Sequence, residues 1–440
     1  MIKTQIIMRK RIKILCLCLL TGSIASQVYA QKSGTCGESL TWELNDDCTI
    51  LTISGTGEMD DYSSYTYAPW HAYYDEIKTV VLNEGITKIG DWAFFMCRNM
   101  DAPTIPNTVQ SIGDGAFCGC HGVQSLDIPG SVQSIGNEAF ESCDNLTSIH
   151  FDEGVKELGL QAFWYCSGLT SVVIPNSVTI LGASLFSRCT SLTSVTIGEG
   201  VQEIGSFIFD GCDLLETLVY NAIECEEAGM NTDFGLECHS LTHLTVGDKV
   251  RIIPERAFIQ CKKLTSVNIP NSVEYIGMKA FYGCNGLLSL TIGESVRSIG
   301  YAAFDQCSNL QEMTVLPTEP PTFERLYYYP TYNPFQGVPS RIPVYVPSES
   351  IGAYKAVDDW KSMNLQPIGG TGVQTTTVDQ ITGITIAGNE VLLTPGLTAK
   401  AQVYDMAGRL VLSTSELRFS LPKGIYLIKV GNETMKVVLQ

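Results

Sequence analysis

Charge is scarce in this 440-residue chain. Asp, Glu, Lys and Arg make up 17% of it, and acids outnumber bases 46 to 28. Without a basic surplus to neutralise phosphates, nucleic acid is not an expected partner. Histidine is rarer still, with five in all and none in H-E-x-x-H spacing. The G-x-S-x-G, P-loop and dinucleotide-binding glycine patterns are missing. The acidic pairs Asp46-Asp47 and Asp60-Asp61 fall in expected turns or loops, where carboxylates are ordinarily solvated. No catalytic constellation, enzyme activity or cofactor is therefore expected. Beyond residue 30 no apolar run is long enough to cross a bilayer.

The first thirty residues read as an export signal. Lys3, Arg9, Lys10, Arg11 and Lys13 form a basic start, Ile14 to Leu20 a short apolar core, and Val28-Tyr29-Ala30 a cleavage pattern before Gln31. Removing this segment takes the net charge from -18 to -23.

The cysteines carry the organising pattern. Cys97, Cys120, Cys143, Cys166, Cys189 and Cys212 recur every 23 residues, a 26-residue step leads to Cys238, and the 23-residue step resumes with Cys261, Cys284 and Cys307. In every copy except that of Cys238, Phe stands three residues before the cysteine (Phe94, Phe117, Phe140, Phe163, Phe186, Phe209, Phe258, Phe281, Phe304) and Gly seven before it, with Pro254 replacing the Gly in one. Runs such as Leu169-Thr-Ser-Val172-Val-Ile174 alternate as half-buried strands do. One such unit cannot bury its apolar side alone, so stacked coils sharing one core are expected, about ten of them, in an array roughly 50 Å long at ~4.8 Å per coil. The glycine suits a backbone bend that a side chain would obstruct. The column cysteines read as buried packing groups.

The remaining segments divide as follows: 1–30 signal peptide, 31–76 an N-terminal hairpin cap, 77–315 repeats, 316–368 a C-terminal cap, 369–379 a linker and 380–440 a small β-sandwich with alternating strands. Within the C-terminal cap, Ile342 to Pro347 is predicted as the last strand and Ser348 to Met363 as a closing helix capped by Ser348 or Ser350. Cys36 and Cys48 are the best disulfide candidates given export; Cys118 and Cys225 have no evident partner. The seventh unit, about residues 218 to 246, lacks the column Phe and gathers Cys225, Cys238, His239 and His243. Cys238 is in phase with the structural cysteines and His243 fills a slot held elsewhere by Ser or Thr, so no metal is expected.

Outward strand positions make two columns. One holds Ser125, Ser148, Ser171, Ser194, Thr217, His243, Ser266 and Ser289; the other Asp127, His150, Val173, Thr196, Val219, Thr245, Asn268 and Thr291. The candidate ligand-binding residues are Ser148, Ser171, Ser194, Thr217, His243, Ser266, His150, Thr196, Thr245 and Asn268. A flat, hydroxyl-rich, weakly charged face suits an extended protein or glycan ligand, and the aromatic stretches Tyr62 to Tyr74 and Tyr327 to Tyr332 offer second locations.

The repeat V-x-x-I-G-x-x-A-F-x-x-C-x-x-L-T-S-V-x-I-P resembles the BspA-like leucine-rich repeats, the cysteine-bearing bacterial class, over roughly residues 77 to 315. That resemblance implies a leucine-rich-repeat solenoid and binding or adhesion at a cell surface, with no shared catalytic residues. The segment from Gly34-Thr-Cys36-Gly through Gly57-Glu-Met59 resembles the family's usual entry segment. The tail resembles the sorting domain of the type IX secretion system. Asp405, Gly408, Arg409 and Leu410 match its central motif, Pro422, Gly424 and Tyr426 its second, and Lys436 its terminal one. It implies export across the outer membrane of a Gram-negative cell by that machinery and, often, loss of the tail with attachment to surface lipopolysaccharide. The alternatives to an adhesin are a glycan-capture accessory protein and a surface-layer scaffold, both non-catalytic.

Overall fold

The computed structural model describes residues 32–63, 65–226, 236, 238–328 and 332–368, and in the tail 384–387, 390–393, 401–405, 410–414, 418–420, 424–430 and 433–439. The expected export signal and the expected 369–379 linker lie outside the described residues. The chain winds into a β-solenoid of about 12 turns with little helix.

Each coil has three sides, and the repeat pattern accounts for each. The first is a strand such as Ser148–Phe151, whose Ile149 and Phe151 point into the core while Ser148 and His150 point out. The second is a two-residue strand such as Glu157–Leu158, which pairs in parallel with its neighbours through Leu158↔Leu181 and Leu158↔Ile135. The glycine that follows it is needed for close approach of successive coils. A Cβ on Gly159 would lie 2.6 Å from the carbonyl carbon of Gly136, and one on Gly182 would lie 2.3 Å from that of Gly159. The backbone there is not left-handed. The left-handed residues sit on the third side, two per coil and mostly without glycine: Glu138 and Ser142, Gln161 and Tyr165, Ser184 and Arg188, all with φ between 54° and 66°. Such a conformation costs about 1–2 kcal/mol per residue. It aligns the N–H groups of Glu138, Phe140 and Ser142 with the carbonyls of Leu160, Ala162 and Trp164, all at 2.8 Å, and so builds a third inter-coil ladder.

The Phe column forms the spine of the core. Rings of Phe94, Phe117, Phe140, Phe163, Phe186 and Phe209 stack face to face at 5.1, 5.1, 5.3, 5.6 and 6.2 Å. The column resumes at Phe258, Phe281 and Phe304 with 5.2 Å spacings. Between Phe209 and Phe258, among the described residues, Tyr220 meets Phe258 edge-on at 5.9 Å. Beside it, buried thiols tie coil to coil: Cys166 Sγ donates to the Phe140 carbonyl at 3.2 Å and Cys189 Sγ to that of Phe163 at 3.3 Å.

Both ends are closed. The strands Leu40–Leu44 and Ile50–Gly55 form an antiparallel hairpin whose second strand pairs in parallel with Thr79–Leu82. Trp70 stacks on Phe94 and its indole N–H donates to the Ala93 carbonyl at 2.8 Å, as a preceding coil would. At the other end the columns run past Val315. Thr322–Phe323 pairs with Ser298–Ile299, and Phe335 stacks on Phe304 at 5.3 Å. Trp360 closes the stack, with its indole N–H on the Pro321 carbonyl at 2.8 Å. The expected single closing helix is instead a short 3-10 turn, Ser348–Ser350, and two short helices, Ile351–Ala356 and Asp358–Lys361, parted by Val357 in an extended conformation. Ser350 stands at the N-cap without a side-chain cap bond. The segment ending at Pro347 is a strand, Pro343–Pro347, but the solenoid adds one more beyond it, Asn364–Ile368.

The tail contains the two small antiparallel sheets of a β-sandwich. One is formed by Ile384–Ala387, Glu390–Leu393 and Arg418–Ser420, the other by Ala401–Asp405, Leu410–Thr414, Gly424–Val430 and Glu433–Leu439.

The disulfide expected between Cys36 and Cys48 is not formed; both are free thiols. Cys36 adjoins Leu40, where the N–H of Cys36 meets the Leu40 carbonyl, while Cys48 lies in the turn beyond Leu44. One full strand separates them, ~13 Å at 3.3 Å per residue, which is beyond the reach of a disulfide.

Candidate ligand-binding face

The strand side of the solenoid brings the outward columns into register. Ser125 pairs with Ser148, Ser148 with Ser171, Ser171 with Ser194, Ser194 with Thr217 and Thr217 with His243. In the second column Asp127 pairs with His150, Val173 with Thr196, Thr196 with Val219 and Val219 with Thr245. Ser148, His150, Ser171, His243, Thr245 and Ser266 are exposed; Ser194, Thr196, Thr217 and Asn268 are half-buried. Val173, 62% exposed, is an apolar interruption of the second column.

The face is not the continuous sheet that unbroken columns suggested. A six-stranded sheet ends at His243–Val246 and a separate five-stranded one begins at Ser266–Asn268, where Ser266 pairs with Ser289 and Asn268 with Thr291. The irregular seventh unit lies at this divide. Towards the N-terminus, residues 102–105 contribute no strand, in a segment carrying Pro103 and Pro106, and proline removes a ladder donor. The gap leaves a shallow depression lined by Ala102, Pro103, Ser125, Asp127, His150 and Asp152. His150 Nε2 stands 3.2 Å from Asp152 Oδ1 at its edge.

A third set of hydroxyls borders the face, which the sequence reading passed over as part of the repeat consensus. Thr147 Oγ1 donates to the Gln124 carbonyl at 2.9 Å, Thr170 to that of Thr147 at 3.3 Å and Thr193 to that of Thr170 at 3.0 Å. These bonds use their donors within the scaffold. The Ser column one residue on lies on the open face.

The two aromatic stretches stand apart from these strands. Tyr67 stacks on His71 at 4.1 Å and lies parallel to Phe95 at 6.5 Å beside the N-terminal cap. Burial lowers the pKa of His71 below its ordinary value, opposed by a hydrogen bond to the Phe95 backbone. Tyr327 and Tyr328 are 90% and 83% exposed.

In the seventh unit, Cys225, Cys238 and His243 have different neighbours. Cys225 is buried against Tyr220, Cys238 Sγ faces Cys261 Sγ in the core, and His243 is exposed with its Nδ1 2.8 Å from Thr242 Oγ1. Among the described residues no group of three His, Cys, Asp or Glu side chains is placed to hold a metal ion. Burial pushes the column thiols up, Cys97 and Cys212 to about 12 and Cys166 and Cys189 well above the ordinary value. These are poor nucleophiles and poor metal ligands.

In the tail, Asp405 ends the strand Ala401–Asp405 in register with Tyr426, and Lys436 lies opposite Leu427. Leu410 opens the strand Leu410–Thr414 and Gly424 opens Gly424–Val430. The chain thus sets parts of all three sorting-like motifs on adjoining strands. Gly408, Arg409 and Pro422 lie outside the described residues.

No curated protein gives a match. Among solved structures, a leucine-rich repeat protein from Bacteroides ovatus is similar at 22% identity, covering 66% of this chain and 99% of its own, with a TM-score of 0.33. One from Eubacterium ventriosum is similar at 24% identity over 77% and 86%, with a TM-score of 0.35. A leucine-rich cell surface protein from Faecalibacterium prausnitzii is similar at 20% identity over 68% and 96%, with a TM-score of 0.29. A model of the BspA-type leucine-rich repeat region, in six copies, matches residues 69–187, 156–232 and 231–325. These matches span more than half of the chain and coincide with the Phe and Cys columns, and the protein belongs to the BspA-type leucine-rich repeat family.

Proposed function

We propose that this is an exported, non-catalytic binding protein of the Gram-negative cell surface, whose strand face engages an extended protein or glycan ligand. The observation that carries the reading is the in-register run of exposed or half-buried small polar side chains from Ser125 to Thr217. A broad surface of this kind offers many weak contacts to a long partner, whereas a small molecule needs an enclosing cavity. Ser148, Ser171, Ser194, Thr217, His150 and Thr196 would make the first contacts, and His243, Thr245, Ser266 and Asn268 would flank the divide. The export signal and the sorting-like strands of the tail support delivery to the surface by the type IX machinery. A glycan array set beside a pull-down on host matrix proteins tests the reading. Binding of an extended glycan or matrix protein, lost on substituting the strand face, is the expected result. Binding that survives those substitutions would favour the glycan-capture alternative through Tyr67 and its stacked neighbours, or a surface-layer scaffold.

A further inference from the structure

The seventh and eighth coils meet where one strand sheet ends and another begins, and one pair of thiols there is arranged unlike the rest. Cys120, Cys143, Cys166, Cys189, Cys212, Cys284 and Cys307 each donate to the carbonyl of the column Phe one coil back, at 3.1 to 3.4 Å. For Cys261 the repeat spacing puts Gly235, not Phe, at the position 26 residues back. Its Sγ lies 3.3 Å from Cys238 Sγ, and the Ile259 carbonyl is 4.0 Å away. Both side chains are buried, at 1% and 0% exposure.

We infer that Cys238 and Cys261 are a cross-linking site: under oxidising conditions they form one disulfide that staples the two halves of the array, while the regular column stays reduced. Successive coils stand ~4.8 Å apart, within the Cα separation a disulfide accepts. That spacing holds along the whole column. What singles out this pair among the described residues is the direct Sγ–Sγ approach at 3.3 Å; Cys284 also lies against Cys261, but its own thiol is given to the Phe258 carbonyl at 3.1 Å. The location also gives the bond a use. The six-stranded sheet ends in this unit at His243–Val246, and a separate sheet begins at Ser266–Asn268. A break in the strand ladder opens more readily than strands paired on both sides, and such local opening would admit the oxidant.

The chemistry balances by thiol–disulfide exchange. The thiolate of one cysteine attacks a sulfur of oxidised glutathione, forming a mixed disulfide and releasing one glutathione thiolate. The second cysteine, after giving up its proton, attacks the protein sulfur of that mixed disulfide and expels the second glutathione. The two protein thiols are oxidised, one glutathione disulfide is reduced to two thiols, and the two protons pass to solvent and the leaving thiolates. The inference does not depend on the ligand face; the export reading supplies only the compartment in which an oxidant is at hand.

The test reduces the purified full chain, re-equilibrates it with oxidised and reduced glutathione in buffer and in mild urea, blocks free thiols after denaturation, and maps the peptides. A Cys238–Cys261 cross-link, with every other column cysteine alkylated, is expected. A link from either residue to Cys225, a link elsewhere in the column, or full alkylation of both under all conditions overturns it. Thermal unfolding gives a second reading. The oxidised protein should melt several degrees higher than the reduced one, and Cys261→Ala should melt at the same temperature in either buffer. A redox-dependent midpoint retained in Cys261→Ala contradicts the assignment.

Discussion

A column cysteine of the regular coils combines a small buried volume with one weak hydrogen bond to the preceding Phe carbonyl, as Cys189 does toward Phe163. Cys189→Ala keeps the volume nearly filled and should cost about 2 kcal/mol in denaturant titration. Cys189→Arg places an unpaired charge in the Phe stack and should cost about 4 kcal/mol or more. Equal losses for the two would contradict the packing role. The same burial ties stability to pH. Cys97 and Cys212 are pushed from 9.0 to about 12. A raised folded-state pKa stabilises the fold below the unfolded-state value. That contribution fades as pH rises from about 9 through about 12, as unfolded thiols ionise and folded ones do not. Urea midpoints should therefore fall across that window, and alanine at both positions should flatten the slope. The Phe and Cys columns were legible in sequence because a 23-residue period marks them directly. The left-handed pairs Glu138/Ser142 and Gln161/Tyr165 were not, since no glycine flags them and the inter-coil ladder alone holds them there.

Strands and caps show a second division between what sequence exposes and what it hides. Alternation within Ser148–Phe151 assigns the inner and outer faces from the residues alone. Which neighbouring strands pair depends on backbone contacts between coils. That is why the proline-bearing gap at 102–105 and the divide after His243–Val246 emerge only in three dimensions. For the same reason Cys36 and Cys48 looked like partners: they are close in sequence, but the hairpin puts them at opposite ends. The divide should be measurable. In hydrogen exchange, amides of His243–Val246, whose strand ends its sheet, should exchange faster than those of Ser171–Val173 and Ser194–Ile197, whose strands are paired on both sides. Uniform protection along the array would contradict a weak joint. The close approach at the glycine column makes a sharper claim. Gly159→Ala would press a methyl group to within 2.6 Å of the preceding coil's backbone and should destabilise by about 3 kcal/mol.

The molecule as a whole joins a closed solenoid to a tail of two small sheets. The delivery reading predicts that surface material begins near Gln31 and lacks most of residues 380–440, and that deleting the tail strands the protein in the periplasm. An intact mass retaining both Met1 and Gln440 on surface protein would contradict it. The central claim is that the strand face binds. The most direct measurement takes the ligand identified by array or pull-down and compares the parent protein with a variant carrying Ser148→Lys, Ser171→Lys and Ser194→Lys, using circular dichroism as the folding control. Ser148 and Ser171 are exposed and Ser194 is half-buried, and all three point away from the core, so the fold should survive. The account predicts an unchanged spectrum with binding abolished. Undiminished binding by the folded variant would contradict it.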